Sequence, residues 1–348
     1  MEGTMKAVVF RGPNDMAVLQ IPIPQIGPNE VLVRSMASGI CHSDFDLLSG
    51  KYIVPFTYPV TPGHEWSGQV VEVGGEVKSI KPGDRVVGEC PYGCGECLAC
   101  KSGSSNYCPN ANHFGFTENG ASSEYFKVKA RLLHKLPDNV SWQEGALVEP
   151  FTVGYYALNV LGGADGGQKV VVFGGGNIGA CTVAAARGMG ATVIGVEPVA
   201  QRRDLLRAVG ADYVLDPTDR EFLDKLLQLT DGIGADLAIE ASGHMSALQT
   251  ILKTVRNDGR VIFTGINIGM IVPVELGLIQ IKGLNIKGTV GAPNVWPAAV
   301  QFLSRIRPNL QPIITHQFPL SQAEKAYELA ADRSKSVKIL LLAEELAA

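Results

Sequence analysis

Four of the seven cysteines in the chain stand close together, and their spacing suggests a metal site. Cys94, Cys97, Cys100 and Cys108 follow one another at intervals of three, three and eight residues. Four thiolates so spaced can surround one tetrahedral ion, and a site with four sulfur ligands and no open position suits a structural Zn²⁺. A redox pair would need a single Cys-x-x-Cys beside a helix start. The pattern therefore predicts a zinc ion that takes no part in catalysis.

A glycine-rich turn predicts a dinucleotide site. Gly174, Gly176 and Gly179 fit the pattern Gly-x-Gly-x-x-Gly, after the apolar run KVVVFG and at the start of a helix-like run. Such glycines allow a tight turn and let backbone N–H groups approach a pyrophosphate at the helix N-terminus. Glu197 ends the next strand-like run, about 20 residues on, where an acid would bind the adenine ribose hydroxyls.

Glu197 also bears on the choice of coenzyme. A carboxylate repels a 2′-phosphate, so this residue favours NAD over NADP. Arg202 and Arg203 complicate the choice, because either could pair with a phosphate and Arg202 could instead stack on the adenine. NAD remains the expected coenzyme.

A third set of candidate residues is dispersed along the chain. It comprises Cys41 in GICHSD, His64 and Glu65 in PGHEW, and Glu149 in LVEP. Taken singly, each has an ordinary structural explanation: a buried thiol, a hydrogen-bonded histidine or a solvated carboxylate. The case for a site depends on their combination.

The elements that must position these residues fall into three zones. Residues 1–150 are rich in Gly and Pro with short Val-rich runs, which predicts a β-rich domain with long loops. From about 153 to 290, strand-like and helix-like runs alternate, which predicts a βαβ series with a parallel sheet and helices on both faces. After 291, further helices and a final strand, SVKILLL, are expected. Ser321 and Glu324 are expected to form the capping box of one of these helices.

Composition excludes several classes of function. The formal net charge is −4 and no run of Lys or Arg forms a basic stripe, so neither nucleic acid nor an anionic membrane is expected as a partner. The N-terminal MEGTMKAVVF lacks the pattern of a secretory signal, and no stretch of about 20 apolar residues is uninterrupted. A cytoplasmic, reducing setting is therefore expected, which makes disulfides a weak explanation of the cysteines.

Together these motifs resemble those of the zinc-containing medium-chain alcohol dehydrogenases. The run from Gly63 to Val77 fits the family signature Gly-His-Glu-x-x-Gly-x5-Gly-x-x-Val, and GICHSD, the cysteine lobe at about 90–110, KPGDRV and the glycine turn occur in the family's order. The resemblance covers nearly the whole chain. It implies a GroES-like β-rich catalytic domain in residues 1–152 and 291–348, and a doubly wound Rossmann coenzyme domain in residues 153–290.

The resemblance also implies a catalytic zinc held by Cys41 and His64. Glu65 and Glu149 would complete the ligand set, one directly and the other directly or through water, and which does so stays open. Many alcohol dehydrogenases have a cysteine at this last point, whereas Glu149-Pro150 is similar to the sorbitol and butanediol dehydrogenase branches. With the cysteine lobe, two Zn²⁺ ions per chain are expected.

The implied activity is the reversible oxidation of a secondary alcohol to a ketone by hydride transfer to NAD. FTYPVTPGHEWSG and HFGFTENGASSEY resemble segments of dehydrogenases that act on polyols and aminocyclitols, so the expected substrate is a polyol, sugar or cyclitol. A diol or simple secondary alcohol is the alternative substrate. A zinc-free quinone or enone reductase and a non-enzymatic nucleotide-binding protein are less favoured alternatives. A homodimer or homotetramer is expected.

Further roles follow from the same resemblance. Ser43 would take the alcohol proton, Asp44 would orient His64, and His42 would lie near the coenzyme phosphates. Asp46 replaces the histidine that ends the proton relay in many relatives, and its carboxylate could accept the proton instead. Other expected coenzyme contacts are Asn177, Ile178, Gly265 and Thr289, and the candidate pocket aromatics are Phe45, Tyr52, Phe56 and Phe116.

Overall fold

A computed structural model of the chain describes residues 3–266 and 268–347. The chain divides into two compact units. The first unit comprises Met1–Glu149, Trp296–Ser304 and Ile314–Ala348, and the second unit comprises Pro150–Val295 and Arg305–Ile313.

These bounds differ from the sequence expectation at both junctions. The first junction falls at Glu149/Pro150 instead of 152/153, and the second falls at Val295/Trp296 instead of 290/291. Residues 305–313 also group with the second unit. There Ile313 is fully buried and Asn309 donates a hydrogen bond to the Ala208 carbonyl at 2.9 Å, an attachment that the local sequence does not signal.

The first unit is built on strands that form one mixed seven-stranded sheet and one two-stranded hairpin. The hairpin consists of β1 (Thr4–Gly12) and β2 (Asp15–Pro22). The sheet strands are β3 (Glu30–Ile40), β4 (Glu65–Val73), β5 (Arg85–Gly88), β6 (Tyr125–Lys129), β7 (Leu133–Lys135), β14 (Ile314–Pro319) and β15 (Lys338–Leu342). The sheet order is β14-β15-β3-β4-β5-β7, with β6 also paired to β3.

Strand β3 organises this sheet and determines where the candidate residues meet. Along one edge its first half pairs with β6 and its last residues pair with β15, while β4 lies along the other edge. Val31, Val33 and Ala37 of β3 are fully buried. Because β3 ends at Ile40 and β4 begins at Glu65, the residues that follow β3 and precede β4 lie at the same end of the sheet.

Short helices connect or flank these strands. They are α1 (His42–Leu48), α2 (Leu98–Lys101), α3 (Trp142–Ala146), α10 (Trp296–Ile306) and α11 (Ala323–Ala331). Helix α4 (Val148–Tyr156) contributes only its first two residues to this unit, and the last two residues of α10 group with the second unit. A 3₁₀ turn, Leu320–Gln322, precedes α11, and the capping box expected from Ser321 and Glu324 is wrong. The Ser321 N–H and hydroxyl instead contact the two carboxylate oxygens of Glu344, each at 3.1 Å, because the fold brings this acceptor close to the turn.

The second unit contains the alternating elements that the sequence predicted. Its strands are β8 (Lys169–Phe173), β9 (Thr192–Val196), β10 (Tyr213–Leu215), β11 (Ala235–Glu240), β12 (Val255–Phe263) and β13 (Asn285–Gly288). Its helices are α5 (Asn177–Gly188), α6 (Ala200–Ala208), α7 (Phe222–Leu229), α8 (Met245–Thr254) and α9 (Gly277–Lys282). The sheet order is β10-β9-β8-β11-β12-β13 and every pair is parallel, which confirms the doubly wound sheet.

The topology of this sheet accounts for helices on both of its faces. From β8 the chain proceeds outward through β9 and β10, then returns to β11 and proceeds the other way to β13. Right-handed crossovers in opposite directions place their helices on opposite faces. The carboxyl ends of all six strands therefore lie along one edge, with the reversal of direction between β8 and β11.

No helix within residues 3–266 and 268–347 is both long and apolar enough to cross a membrane. The longest described helix, α5, has 12 residues and is about 18 Å long. A membrane-spanning helix needs about 20 apolar residues.

Candidate active site, structural metal site and coenzyme site

The four-cysteine segment folds so that its thiols converge. The sulfur atoms of Cys94, Cys97, Cys100 and Cys108 all lie within 4.8 Å of one another, and those of Cys97 and Cys108 are 3.7 Å apart. Helix α2 begins directly after Cys97 and carries Cys100, so a single helical turn separates these two side chains. All four are free thiols. Four sulfur donors in this arrangement fit a closed, tetrahedral zinc site.

Local backbone donors favour a thiolate in this segment. The N–H groups of Glu96 and Cys97, together with the Cys108 thiol, lower the pKa of Cys94 to about 6. The thiolate is the metal-binding form of cysteine. At the base of the segment, Tyr92 and Asn112 exchange two backbone hydrogen bonds of 3.0 Å, which bring its two ends together.

Cys41, His64 and Glu65 meet at one end of the first-unit sheet. Cys41 follows β3 and is the N-cap of α1, while His64 and Glu65 stand at the start of β4. Their donor atoms all lie within 4.8 Å of one another. Gly39 lies opposite Glu65 in the ladder, and a Cβ atom at position 39 would lie 2.4 Å from Glu65 Oε2. Glycine at this position therefore leaves room for the Glu65 carboxylate.

Asp44 lies behind His64, in the first turn of α1. Its Oδ2 accepts a hydrogen bond from the Cys41 N–H at 3.0 Å, and its Oδ1 lies 3.6 Å from His64 Nδ1. Both Asp44 Oδ1 and His64 Nδ1 are buried without a hydrogen-bond partner. A carboxylate on one imidazole nitrogen leaves the other nitrogen to bind an ion. One thiol, one imidazole and one carboxylate form a donor set that suits zinc.

The electrostatics of this cluster also suit a cation. Burial lowers the pKa of His64, but Cys41 and Asp44 raise it by more, so the net pKa is well above its usual value. Glu149, in the first turn of α4, lies outside the set of atoms within 4.8 Å. Burial, opposed by His64 and reinforced by Glu65, raises the pKa of Glu149 to about 7. A divalent ion would relieve the repulsion among acidic groups in so small a buried volume.

Lys338 is a member of this cluster that sequence reasoning missed. It is 2% exposed, and its Nζ donates to Glu65 Oε2 at 2.5 Å and to the Ile40 carbonyl at 2.9 Å. Burial lowers the pKa of Lys338, but Glu65, Cys41 and Asp44 together raise it by more, so the lysine remains protonated. Lys338 therefore competes with a cation for the Glu65 carboxylate. A charged residue within the otherwise apolar run SVKILLL was the signal that could have revealed it.

The residues around Cys41 in α1 occupy different environments. The Ser43 hydroxyl oxygen is buried and has no hydrogen-bond partner. His42 is exposed, and its Nδ1 accepts a hydrogen bond from Arg333 Nε at 3.3 Å. Burial and Arg333 lower the pKa of His42. Asp46 is partly exposed.

Two of the four candidate pocket aromatics lie beside His64. Phe116 is 5.1 Å from His64 between ring centroids, and Tyr52 stacks on Phe116 at 4.8 Å. His113, which sequence reasoning did not single out, lies against the same phenylalanine at 6.3 Å. The other two candidates have other ring partners: Phe45 contacts Tyr327 and His42, and Phe56 contacts Tyr58.

The glycine turn after β8 has the geometry of a phosphate-binding loop. Gly174 adopts a φ of +106°, which favours glycine. A Cβ at Gly179 would lie 1.9 Å from the Gly174 carbonyl oxygen, so the helix can approach the turn only without a side chain there. Gly176 is the N-cap of α5, and a Cβ on it would meet nothing within 4 Å. This open space beside the helix N-terminus, with Asn177 and Ile178 in its first turn, fits a pyrophosphate.

Glu197 lies directly after β9 and faces this turn. It is 4% exposed, and its carboxylate accepts the Gly175 N–H at 2.6 Å and the Val199 N–H at 2.9 Å. Two acceptor positions of the carboxylate remain for other donors. Arg203 is engaged by Asp216 and by the Glu197 carbonyl, at 2.9 and 3.0 Å.

Gly265 and Thr289 lie along the same edge of the sheet, after β12 and β13. The Gly265 N–H donates to the Glu240 carbonyl at 2.9 Å, and the Thr289 N–H donates to the Phe263 carbonyl at 3.0 Å. Thr289 is buried, and its hydroxyl donates to the Gly291 carbonyl. The candidate coenzyme residues of the second unit therefore follow the carboxyl ends of four of its strands.

Comparison with known proteins identifies the family. Residues 27–138 match the alcohol dehydrogenase GroES-like domain, and residues 177–305 match the zinc-binding dehydrogenase domain. The chain is 31% identical to D-arabitol-phosphate dehydrogenase of Enterococcus avium over 98% of each chain, and 36% identical to Homo sapiens sorbitol dehydrogenase over 96% of this chain and 95% of that one. A zinc-binding dehydrogenase from Sinorhizobium meliloti 1021 bound to NADP has a TM-score of 0.91 at 30% identity, covering 98% of this chain and 99% of that one. The chain therefore belongs to the zinc-containing medium-chain alcohol dehydrogenases, in their polyol branch.

Proposed function

We propose that this alcohol dehydrogenase reversibly oxidises a secondary alcohol of a polyol, sugar or cyclitol to a ketone, with NAD as the hydride acceptor. The observation that carries the proposal is the convergence of the Cys41, His64 and Glu65 donor atoms within 4.8 Å. Glu149 stands close enough to His64 and Glu65 for both to shift its pKa. A sulfur, nitrogen and oxygen set of this kind is typical of zinc sites that keep a position for substrate.

Two zinc ions per chain are part of the proposal. Cys41 and His64 would hold the catalytic ion, and Glu65 and Glu149 would complete its surroundings. The four lobe cysteines, Cys94, Cys97, Cys100 and Cys108, would hold the structural ion. When bound, the catalytic zinc supplies Lewis acidity, which lets an alcohol hydroxyl lose its proton near neutral pH.

The protein's own groups have distinct tasks in this reaction. Asp44 orients His64, and the buried Ser43 hydroxyl accepts the alcohol proton and passes one on towards Asp46 and solvent. When bound, the nicotinamide would accept the hydride from the carbinol carbon, so that the alcohol would be oxidised as the coenzyme is reduced. Phe116 and Tyr52 provide an apolar wall beside His64 that limits access of water.

The coenzyme preference rests mainly on Glu197. After its two backbone hydrogen bonds, this carboxylate keeps acceptor positions for ribose hydroxyls and would repel a 2′-phosphate. Arg202 lies against the glycine turn, since a Cβ on Gly175 would be 2.9 Å from the Arg202 Cβ, and it is proposed to contact the adenosine part of the coenzyme. His42 is proposed to lie near the coenzyme phosphates. NADP is the alternative coenzyme, because the Sinorhizobium relative is bound to NADP, and both coenzymes are therefore compared in the experiment below.

A substrate panel tests the proposal directly. Purified enzyme is supplied with polyols, cyclitols, sugars, D-arabitol phosphate, diols and simple secondary alcohols, each with NAD and with NADP, and reduced coenzyme is followed by absorbance. The proposal expects the highest kcat/KM with NAD and a polyol, sugar or cyclitol, and loss of activity when zinc is removed by a chelator. A preference for 2,3-diols would favour the diol alternative. Enone reduction without bound zinc would favour a reductase, and no turnover of any alcohol would contradict the proposal.

We also propose that the chain functions as a homodimer or homotetramer in a reducing, cytoplasmic setting. Among the described strands, β13 is hydrogen-bonded to β12 alone, so its other edge can pair with a second chain. The second unit also exposes several large apolar side chains, including Ile271, Ile281 and Ile268 at 91%, 79% and 72%. Light scattering coupled to size-exclusion chromatography tests this part, and a mass of one chain at micromolar concentration would contradict it.

A further inference from the structure

Glu240, the last residue of β11, is a fully buried carboxylate in the second unit that has no assigned role in the proposed reaction. Its side chain turns back onto the loop that follows the strand. Oε1 accepts the Ser242 N–H at 2.9 Å, the Gly243 N–H at 3.0 Å and the Ser242 hydroxyl at 2.5 Å. The carboxylate thus closes a tight turn over residues 241–243.

The main chain of Glu240 holds a second turn. Its carbonyl oxygen accepts the Thr264 N–H at 2.8 Å, the Gly265 N–H at 2.9 Å and the Thr264 hydroxyl at 2.9 Å. A Cβ at Gly265 would lie 2.5 Å from Glu240 Oε2 and 2.4 Å from the Gly243 nitrogen. The turn after β12 is therefore packed directly against the carboxylate and against the turn after β11.

The same turn also packs against the glycine motif. A Cβ at Gly174 would lie 3.1 Å from both the Cβ and the nitrogen of Ser242. Glu240 lies opposite Phe173 of β8 and Phe263 of β12 in the parallel ladder. Glu240 therefore joins the turns after β11 and β12 through its carboxylate and its main-chain carbonyl, and Ser242 of the first of these turns packs against the glycine turn after β8.

This point of the sheet is where a ligand is expected on topological grounds. The direction of the chain reverses between β8 and β11, and open α/β sheets bind ligands at the carboxyl ends of the strands beside such a reversal. Glu240 stands at that end of β11, beneath the turns that would form the floor of the crevice.

Asp236, at the other end of β11, provides a comparison. Its carboxylate accepts the Lys169 N–H at 2.8 Å and is paired with Arg256 at 2.8 Å, so a cation neutralises it. Within the part of the chain that the structure describes, the hydrogen bonds to the Glu240 side chain come from neutral groups of Ser242 and Gly243. A buried carboxylate without a cation is costly unless its hydrogen bonds are well formed, so the geometry of this turn is strongly specified.

We propose that Glu240 is a positioning residue of the coenzyme site, which holds turns 241–243 and 264–265 in the shape that the nicotinamide dinucleotide requires. The inference rests on the proposed function, because it takes this dinucleotide as the ligand. Glu240 acts through Gly243 and Gly265 and does not itself touch the coenzyme. Its loss should therefore weaken coenzyme binding while leaving the chemical step at saturating coenzyme unchanged.

The test compares Glu240→Gln with Asp236→Asn as a control. Both changes replace a carboxylate of β11 by its amide, but Asp236 lies at the end of the strand away from the coenzyme site. NADH affinity is measured by titration of NADH fluorescence, together with zinc content, thermal unfolding and steady-state kinetics. For Glu240→Gln we expect about tenfold weaker NADH binding, because the variant loses one charge-assisted hydrogen bond. The KM for NAD should rise, while kcat and the zinc content should stay unchanged. Asp236→Asn should keep the wild-type NADH affinity at a temperature where it remains folded.

The outcomes separate the inference from the proposed function. If the wild-type enzyme does not bind NADH or NADPH, the proposed function fails. If it binds coenzyme and Glu240→Gln binds equally well, or loses only thermal stability, the positioning role is refuted. If Glu240→Gln does not fold, Gly265→Ala replaces it, because the added methyl group would displace the same two turns. Unchanged NADH affinity in folded Gly265→Ala would then refute the inference.

Discussion

Replacement of Lys338 by Met should destabilise the first unit far more than loss of an ordinary surface lysine. Lys338 and Glu65 are 2% and 1% exposed, and their charged atoms are 2.5 Å apart. Removing one partner of a buried ion pair leaves an uncompensated charge and typically costs about 3–5 kcal/mol. The matched control is Lys135→Met, whose pair with Asp84 has side-chain exposures of 58% and 12% and should contribute about 0–1 kcal/mol.

Tryptophan fluorescence can follow the unfolding of the first unit separately. All three tryptophans, Trp66, Trp142 and Trp296, belong to the first unit, so their fluorescence in a urea titration reports its unfolding. In zinc-depleted protein, Lys338→Met should lower the free energy of unfolding of this unit by about 3–5 kcal/mol. Adding zinc should stabilise Lys338→Met more than wild type, because Glu65 is then free to meet the ion and binding to the folded state adds to stability.

A double variant tests the physical reason for the effect. Glu65→Gln combined with Lys338→Met removes both charges, so most of the lost stability in zinc-depleted protein should return. The reasoning is refuted if Lys338→Met costs no more than Lys135→Met, or if the double variant is no more stable than Lys338→Met alone.

Three further predictions concern the other sites. Cys97→Ser should remove one zinc per chain, as measured by metal analysis. It should also lower the melting temperature, because structural zinc binding contributes folding energy. A variant that keeps two zinc ions per chain and normal stability would contradict the four-thiol site. Glu197→Ala should lower the ratio of kcat/KM for NAD to that for NADP, and an unchanged ratio would remove Glu197 as the selector. The folded-state pKa of Glu149 is raised from 4.5 to about 7, so its stabilising contribution is complete below about pH 4.5 and is lost as the pH rises through about 7. The free energy of unfolding of zinc-depleted wild type should therefore fall by up to about 3 kcal/mol between about pH 5 and pH 8, and that of Glu149→Gln should not show this fall. Urea titrations at each pH measure both proteins, and the same pH dependence in the two would refute the prediction.

The features that the sequence predicted best depend on neighbours along the chain. The cysteine spacing places Cys97 and Cys100 one helical turn apart, and Gly174 to Gly179 form a turn between one strand and the next helix. The alternating apolar runs of the second unit likewise became a parallel sheet. In each case the deciding interactions lie within a few residues, or repeat with the period of a helix or strand, so the local pattern contains them.

Tertiary structure decided how the dispersed residues are partnered. Sequence motifs pointed to Cys41, His64 and Glu65, but the register of β3 against β4 and β15 brings Lys338 to Glu65 from 273 positions away. Ser321 likewise contacts the Glu344 carboxylate, 23 positions away, instead of capping the helix that follows it. By itself, the sequence determined the family, the two kinds of domain and the residue types available for zinc and dinucleotide binding. Only the tertiary structure decided which buried charges are neutralised and by which partner, because those contacts depend on strand register between distant segments, which no local pattern of residues specifies.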